Sequence, residues 1–222
     1  MSAAVAQEPA SLDDLRVLLA PAIADAAAFD GWSEAAVRDA AQLHGVDPEA
    51  AVFAFSGGAM QMIEAWVRSV DAAMREALPA ERIASLKIRE RIATLVQFRL
   101  DAIAHQKEAL RRALAIMAMP QNAARALALG WQSADAMWRL AGDTAADYNH
   151  YTKRLTLGSI YAATLAVYVN DKSDDNADTR AFLDRRIEGI MKFEKAKAQF
   201  LRPREKMFSP ARLLGRLRYP AR

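Results

Sequence analysis

Apolar residues recur along this chain at the three- and four-residue spacing of amphipathic helices. Leu12, Leu15, Leu18 and Leu19 open the series, and similar runs continue into the carboxyl-terminal third. No alternation of apolar and polar residues, the pattern of a half-buried strand, stands out between turns. Because only 9 Gly and 8 Pro occur among 222 residues, the pattern predicts an all-α protein.

Two short helices are predicted around a glycine turn. Ser33 can cap "EAAVRDAAQLH", which stops at Gly45, and Asp47-Pro48 can start the next helix. This order is that of a helix-turn-helix. The second helix, "PEAAVFAF", lacks the Arg, Lys, Asn, Gln, Ser and Thr side chains that contact bases and phosphates. We therefore interpret the motif as structural and expect no nucleic-acid partner.

Three longer helical patterns follow. Glu81 to Met119 is predicted as a nearly unbroken helix, and Asn122 to Leu140 as another. Leu155 to Val169 carries no charge, which is typical of a helix buried on all sides. It is shorter than the roughly 20 residues of a membrane-spanning helix. A stripe of small residues, Gly158, Ala162 and Ala166, would permit close helix packing.

Composition narrows the possible chemistry. The absence of cysteine removes disulfides, thiolate catalysis and Cys-ligated metal sites. No phosphate-binding glycine loop or nucleophile motif occurs. "HQKE" at His105 to Glu108 places His and Glu on one helix face, but a di-iron bundle needs two Glu-x-x-His motifs and further Glu residues. We predict that the protein is not an enzyme and binds no cofactor or metal. An enzyme that uses His105 remains a third possible class of function.

The loop "NDKSDDNADTR" is rich in carboxylates but fails as a calcium loop. Asn176 stands where an EF-hand needs Gly, and Phe182 where it needs the bidentate Glu. Capping of the following helix by Asp178 or Thr179 is the favoured interpretation.

Charge divides the chain into an acidic body and a basic tail. The overall net charge is +3, but Lys192 to Arg222 contains ten basic and two acidic residues, which leaves −5 for the rest. Such a tail indicates an anionic partner.

The first ten residues have neither a basic start nor an apolar run, so we expect no secretory signal and a cytoplasmic location.

The end of the tail predicts a short basic amphipathic helix in "MFSPARLLGRLRYPAR". Ser209 and Pro210 would start it, and apolar and basic side chains would occupy different faces, as suits the surface of an anionic membrane. A helix docked on its own domain and a disordered basic end are the alternatives. The predicted membrane-binding residues are Phe208, Arg212, Leu213, Leu214, Arg216, Leu217 and Arg218.

The stretch "AMWRLAGDTAADYNHYTKR" from Ala136 to Arg154 concentrates aromatic and charged residues around a Gly-Asp turn. It stands within an ordered series of motifs: "MPQNAARAL", "MWRLAGD", "DYNHYTKR", "GSIYAATLAVYVNDKS" and "TRAFLDRRI". From Met119 to Ile187 this series resembles the lipid-binding, TetR-like accessory proteins of ubiquinone biosynthesis. The amino-terminal half adds only the degenerate helix-turn-helix.

The resemblance implies a TetR-like helical homodimer with an apolar pocket for an isoprenoid lipid or quinone precursor. It also implies a partner, the membrane-bound di-iron hydroxylase late in the pathway, which the accessory protein helps to reach its substrate. Pocket residues would come from the three long helices. The candidate lipid-binding residues are Leu114, Met117, Met137, Trp138, Leu157, Tyr161 and Leu165.

The partner-binding surface implied by the resemblance consists of Asp147, His150, Tyr151 and Arg154. The family usually has Trp where this chain has His150, so the surface is weakened, rewired or pH-sensitive here. Thr144 and Asp147 also have the spacing of a capping box, so Asp147 either starts a helix, contacts the partner, or does both.

Together these predictions give an all-α, TetR-like bundle with three regions. Residues 1–78 would hold the degenerate helix-turn-helix, 79–191 the lipid-binding bundle, and 192–222 the basic amphipathic tail. The predicted function is a non-catalytic lipid-binding accessory protein of ubiquinone biosynthesis, peripheral to the inner membrane. The alternative is a TetR-like, ligand-responsive transcription regulator.

Overall fold

The computed structural model describes residues 11–144 and 148–200, with side chains described for 11–144 and 150–190. Across these ranges the ordered elements are helices, and no strand occurs. The all-α prediction is confirmed. The α-helices are α1 Leu12–Asp30, α2 Glu34–Leu43, α3 Pro48–Ala54, α4 Ala59–Ala77, α5 Ala80–Ile83, α6 Ile88–Ala102, α7 Lys107–Met117, α8 Ala123–Leu140, α9 Tyr148–Tyr168 and α10 Ala177–Phe200.

Side-chain caps begin the first three helices, and α2 and α3 start where Ser33 and Asp47 predict. The Ser11 and Ser33 hydroxyls accept hydrogen bonds from the Asp14 and Ala36 amides, and the Asp47 carboxylate accepts from two amides at the start of α3. These bonds satisfy amides that have no partner within the helix. Helix α1 packs against α2, α3, α4 and α7, so it forms the centre of this half of the fold.

The prediction of a nearly unbroken helix from Glu81 to Met119 is wrong, because the structure divides this segment into α5, α6 and α7. The second break, between α6 and α7, is caused by contacts with residues that are distant in sequence. Gln106 is buried there, accepts from the Trp66 indole at 2.9 Å, and donates to the Pro21 carbonyl at 3.2 Å. The change of direction lets α6 pack on α4 and α8 while α7 packs on α1.

Helices α8 and α9 form a hairpin around the "AGD" turn. The Gly142 amide donates to the Arg139 carbonyl and the Asp143 amide to the Trp138 carbonyl, the two bonds of a Schellman motif. Gly142 has φ +88°, which favours glycine. A Cβ atom on Gly158 would lie 3.7 Å from the Gly130 carbonyl, so the two helices approach closely at this point.

Helix α9 is buried on one face, so the prediction of burial on all sides is wrong. Leu157, Tyr161, Thr164, Leu165 and Tyr168 are buried, at the spacing of one helical face. The opposite face is exposed and consists mainly of small residues, which lose little by contact with water.

The loop before α10 is ordered by Asp171. Its carboxylate accepts from the Ser173 and Thr179 amides, each at 2.8 Å, and the Ser173 hydroxyl accepts from the Asp178 amide. The prediction that Asp178 or Thr179 would cap α10 is therefore wrong, because residues earlier in the loop accept these amides. Burial alone would raise the pKa of Asp171, but the hydrogen bonds from Ser173 and Thr179 hold it well below the usual aspartate range.

The chain divides into two compact units, Met1–Arg185 and Arg186–Arg222. Helices α1 to α9 lie in the first unit, and α10 begins there. Among the described residues no single helix has the length and apolarity to cross a membrane. Helices α3 and α4 meet those criteria only as a pair, and they are bent by 92°.

Candidate functional site

An apolar cavity of about 280 Å³ lies among α4, α6, α7, α8 and α9 in the first unit. This volume is close to the lower end, about 300 Å³, of ordinary small-molecule pockets. Ala118 and Ala162 in its lining are exposed, so solvent reaches the cavity. The lining is Trp66, Val67, Val70, Arg99, Ile103, Leu110, Leu114, Met117, Ala118, Ala126, Leu129, Gly130, Ser133, Gly158, Tyr161, Ala162 and Leu165.

The structure places four of the seven candidate lipid-binding residues in this lining: Leu114, Met117, Tyr161 and Leu165. Met137 and Leu157 are buried but do not line the cavity. Met137 lies one turn after Ser133, and Leu157 lies one turn before Tyr161 and next to Gly158. Trp138 is half-buried outside the lining, and its indole N–H donates to the Lys153 carbonyl at 3.0 Å.

Sequence reasoning did not identify the contribution of α4 or the polar residues of the cavity. Trp66, Val67 and Val70 look like ordinary core residues in a sequence, because a pocket and a packed core share the same apolar pattern. Nothing in the local sequence around Arg99 shows that this charged side chain is only 2% exposed. Only the tertiary structure shows that α4 lines the cavity and that Arg99 is buried.

A buried ion pair adjoins the apolar lining. Arg99 of α6 donates through Nη1 to the Asp71 carboxylate of α4 and through Nη2 to the Ser133 hydroxyl of α8. The guanidinium carbon lies 4.9 Å from the centre of the Tyr161 ring on α9, within cation–π distance. Arg99 Nε is buried and has no hydrogen-bond partner among the described residues. The cavity therefore has one polar region in an otherwise apolar wall.

A second feature is an aromatic cluster on the α8–α9 hairpin, formed by Trp131, His150 and Tyr151. The Trp131 ring centre lies 6.2 Å from that of His150 and 6.0 Å from that of Tyr151, and the last two are 5.2 Å apart. Tyr151 is 58% exposed. The structure thus brings two of the four candidate partner-binding residues together and adds Trp131. Asp147 lies outside the described residues.

Arg154, the fourth candidate, is buried beneath this cluster. Its Nε donates to Asp135 at 2.6 Å, and its Nη1 donates to Asp143 at 3.0 Å and to the His150 carbonyl at 3.1 Å. With 2% of its side chain exposed, Arg154 ties α8, the "AGD" turn and α9 together and presents no surface to a partner here. Lys153 adds an ion pair to Asp143 at 2.6 Å.

The described residues contain no group of three His, Asp or Glu side chains that could hold a metal ion. His105 Nε2 lies 3.3 Å from the Asp25 carboxylate at an exposed position, and Glu108 pairs with Arg111 and Arg112. His105 and Glu108 of "HQKE" are therefore engaged in pairs on the surface of the fold.

Helices α2 and α3 form the predicted helix-turn-helix, but α3 offers little to a nucleic acid. Its residues are Pro, Glu, Ala, Val and Phe, with Phe53 67% exposed. The nearby cation, Arg38, is paired with Glu34 and Glu49 at 2.7 Å each. Hydrogen bonds to Glu49 and then Glu34 raise the pKa of Arg38 above its ordinary value. The one polar side chain of α3, Glu49, is paired with Arg38, so α3 offers no cation to a phosphate and little to a base edge.

The arrangement of α1 to α9 defines an all-helical protein of the TetR-like class. It superposes on a TetR transcriptional regulator from Nitrosomonas europaea ATCC 19718 with a TM-score of 0.63. The likeness covers 80% of this chain and 98% of that one, at 22% sequence identity. It establishes the fold.

The sequence is similar to one particular family of proteins. Residues 123–194 match the COQ9 family model. The chain is 34% identical over 168 residues to the mitochondrial ubiquinone biosynthesis protein COQ9 of Rattus norvegicus, and 32% identical over 168 residues to that of Homo sapiens. Both matches cover 72% of this chain, and they cover 54% and 52% of those relatives. The predicted family resemblance is confirmed, and the chain spans about half the length of the curated relatives it matches.

Proposed function

We propose that this protein is a non-catalytic accessory protein of ubiquinone biosynthesis that binds an isoprenoid lipid or quinone precursor and assists a membrane-bound di-iron hydroxylase. The observation that carries the proposal is the apolar cavity among α4, α6, α7, α8 and α9, to which the family-matching segment contributes one wall. An apolar lining with a few polar groups suits a lipid tail attached to a polar ring.

Lipid binding is tested by native extraction of the purified protein followed by lipid mass spectrometry. We expect polyprenyl quinones or isoprenoids to co-purify at a defined ratio to protein. Leu114→Trp, which fills the cavity, should lower that ratio severalfold. Leu127→Trp, at a 70% exposed position of α8 outside the lining, is the matched control and should not change it. Purification without lipid, or equal loading of both variants, would contradict the proposal.

For the hydroxylase we propose the aromatic cluster of Trp131, His150 and Tyr151 as the contact surface. Aromatic side chains dominate the energy of many interfaces, and one can contribute about 2 kcal/mol or more. His150→Trp should therefore tighten binding to the purified hydroxylase about 30-fold. Leu155→Trp, at an exposed position on the same helix outside the cluster, should have little effect. Equal affinity of His150→Trp and the unchanged protein would refute this assignment.

Attachment to the inner membrane is proposed through the basic tail. Its candidate residues, from Phe208 to Arg218, lie outside the described residues, so the proposal rests on their sequence pattern and charge. Deletion beyond Phe200 should abolish co-sedimentation with anionic liposomes, whereas neutral liposomes should bind neither form.

The homodimer implied by the resemblance is tested by light scattering during gel filtration, with a mass near twice 24.4 kDa expected.

The alternative function, a ligand-responsive transcription regulator, is favoured by the fold of the Nitrosomonas europaea neighbour. The composition of α3 argues against it. Salt-dependent binding to duplex DNA that survives deletion of the basic tail would support the regulator.

A further inference from the structure

The amino-terminal helices enclose a surface hollow that is separate from the lipid cavity. It has a volume of about 210 Å³ and lies among α2, α3 and α4, and its lining shares no residue with that of the cavity. Glu34 and Ser56 in the lining are exposed, so the hollow opens to solvent. Its apolar walls include Trp32, Val37, Val52, Phe55 and Met62.

An exposed aromatic side chain stands beside this hollow. Phe53 lies between Val52 and Phe55 of the lining and is 67% exposed. Glu49 stands one turn earlier on the same face of α3 and pairs with Arg38 of α2 at 2.7 Å. Aromatic side chains and the apolar pockets next to them carry much of the binding energy at protein interfaces. The hollow and Phe53, together the α2–α3 surface, therefore have the apolar features of a protein-binding site.

This part of the chain is strongly acidic. Residues 11–58 contain eight acidic and two basic residues, a net charge of −6. All eight acidic residues are exposed. Both cations are already engaged, because Arg16 pairs with Asp13 and Arg38 pairs with two glutamates. The described residues from 11 to 58 thus surround the α2–α3 surface with negative charge that is not compensated.

Charge selects the chemistry of the partner. A net charge of −6 repels the phosphates of a nucleic acid and the headgroups of an anionic membrane. A positively charged protein segment is attracted, and complementary charges favour its association over that of other partners. The hollow and Phe53 also require apolar side chains. A helix with apolar residues along one face and cations beside them meets both requirements.

We infer that the α2–α3 surface binds a basic amphipathic helix of a partner protein. An apolar side chain of that helix enters the hollow and its neighbours pack on Phe53. Its Lys or Arg side chains face Asp39, Asp47 and Glu49, which are exposed on α2, at the start of α3 and on α3. The helix-turn-helix thereby serves as a binding element for a protein. This second interaction surface lies on other helices than the aromatic cluster and does not depend on lipid binding.

The probe for this inference is a fluorescein-labelled synthetic helix with Leu on one face and Lys on the other. Its control peptide has Glu in place of Lys, and binding to the full-length protein is followed by fluorescence anisotropy. Phe53→Ser removes the aromatic contact at an exposed position, so the fold should persist. Leu127→Ser, at an exposed position of α8, is the matched control. Leu114→Trp, which fills the lipid cavity, shows whether the peptide enters that cavity instead.

A second pair of variants tests the charges. Asp39→Asn/Asp47→Asn removes two carboxylates of the surface, and Asn at position 47 can still cap α3. Asp174→Asn/Asp178→Asn makes the same change of net charge at two exposed positions near the start of α10. Each variant is measured at low and at high salt, because salt screens interactions between exposed charges.

We expect Phe53→Ser to bind the Lys peptide about 10-fold more weakly, as for the loss of an aromatic interface contact. Leu127→Ser and Leu114→Trp should stay within about twofold of the unchanged protein, since neither touches the α2–α3 surface. Asp39→Asn/Asp47→Asn should weaken binding about threefold at low salt and not at high salt. The Glu peptide should not bind.

Four results would overturn the inference. They are no binding of the Lys peptide by the unchanged protein, equal affinities of Phe53→Ser and Leu127→Ser, equal losses in the two carboxylate variants, and loss of binding in Leu114→Trp. A severalfold gain in peptide affinity on deletion beyond Phe200 would assign the surface to the basic tail of this chain in place of a partner protein. None of these results bears on lipid extraction, so the proposed function stands or fails separately.

Discussion

Removal of Arg154 should destabilise the α8–α9 hairpin more than removal of any exposed cation nearby. Its guanidinium pairs with Asp135 and Asp143, whose side chains are 22% and 5% exposed, and it also binds the His150 carbonyl. Arg154→Ala leaves both carboxylates short of a partner in a place that water reaches poorly. Taking away one member of a buried ion pair typically costs about 3–5 kcal/mol.

Two remaining cations limit that cost. Lys153 still pairs with Asp143, and Arg139 with Asp135. We therefore expect the lower end of the range, about 3 kcal/mol. In a chain of this length each kcal/mol lowers Tm by about 2–4 °C, so the melting temperature should fall by roughly 6–12 °C.

The assay is thermal unfolding followed by circular dichroism at pH 7, with Arg139→Ala as the matched control. Arg139 pairs with the same Asp135, but its side chain is 72% exposed, so its loss should cost less than about 1 kcal/mol. Burial would raise the pKa of Asp135, but Arg154 and Arg139 together lower it. The stability difference between Arg154→Ala and the unchanged protein should be complete above an ordinary aspartate pKa, about 3.9, and shrink as the pH falls below it. Equal melting temperatures for Arg154→Ala and Arg139→Ala would refute the reasoning.

Three further predictions concern turns and buried groups. Gly142→Ala should lower the free energy of unfolding in urea by about 1–2 kcal/mol, because φ is +88° and the new Cβ would lie 3.2 Å from Arg91 Nη1. Gly189→Ala, in open space within α10, should instead raise it by a few tenths of a kcal/mol or more. A change of the same sign in both variants would contradict this prediction. Asp171→Asn should cost about 1 kcal/mol at pH 7 by weakening the cap of α10, and its effect should vanish in melts at a pH below the aspartate range. Burial, with smaller contributions from Asp101, Tyr161 and Asp171, raises the pKa of Tyr168 to about 12, so ultraviolet titration should show a late component that Tyr168→Phe removes. Since that pKa is raised, its contribution to stability should be complete below about pH 10 and lost as the pH rises toward 12.

The sequence alone determined the helical class, the starts of α2 and α3, and the resemblance to the COQ9 family. Helical spacing and caps such as Ser33 and Asp47-Pro48 are local properties, and the capping bonds form as predicted. The "AGD" and "DYNHYTKR" motifs pointed to the family resemblance because their order is specific, and residues 123–194 match the COQ9 family model. These inferences succeed because each depends on neighbours within a few positions of the chain.

Tertiary structure decided where long-range partners meet. The break before α7 exists because Gln106 bonds to Trp66 and Pro21, which lie far away in sequence. Arg154 has a place in the family motif, yet its partners Asp135 and Asp143 bury it. Asp71 and Arg99 are 28 positions apart, and no local pattern pairs them. A charged residue on a helix looks the same in sequence whether its side chain is solvated or pairs with a buried carboxylate. Tertiary packing alone determines how much water reaches the side chain.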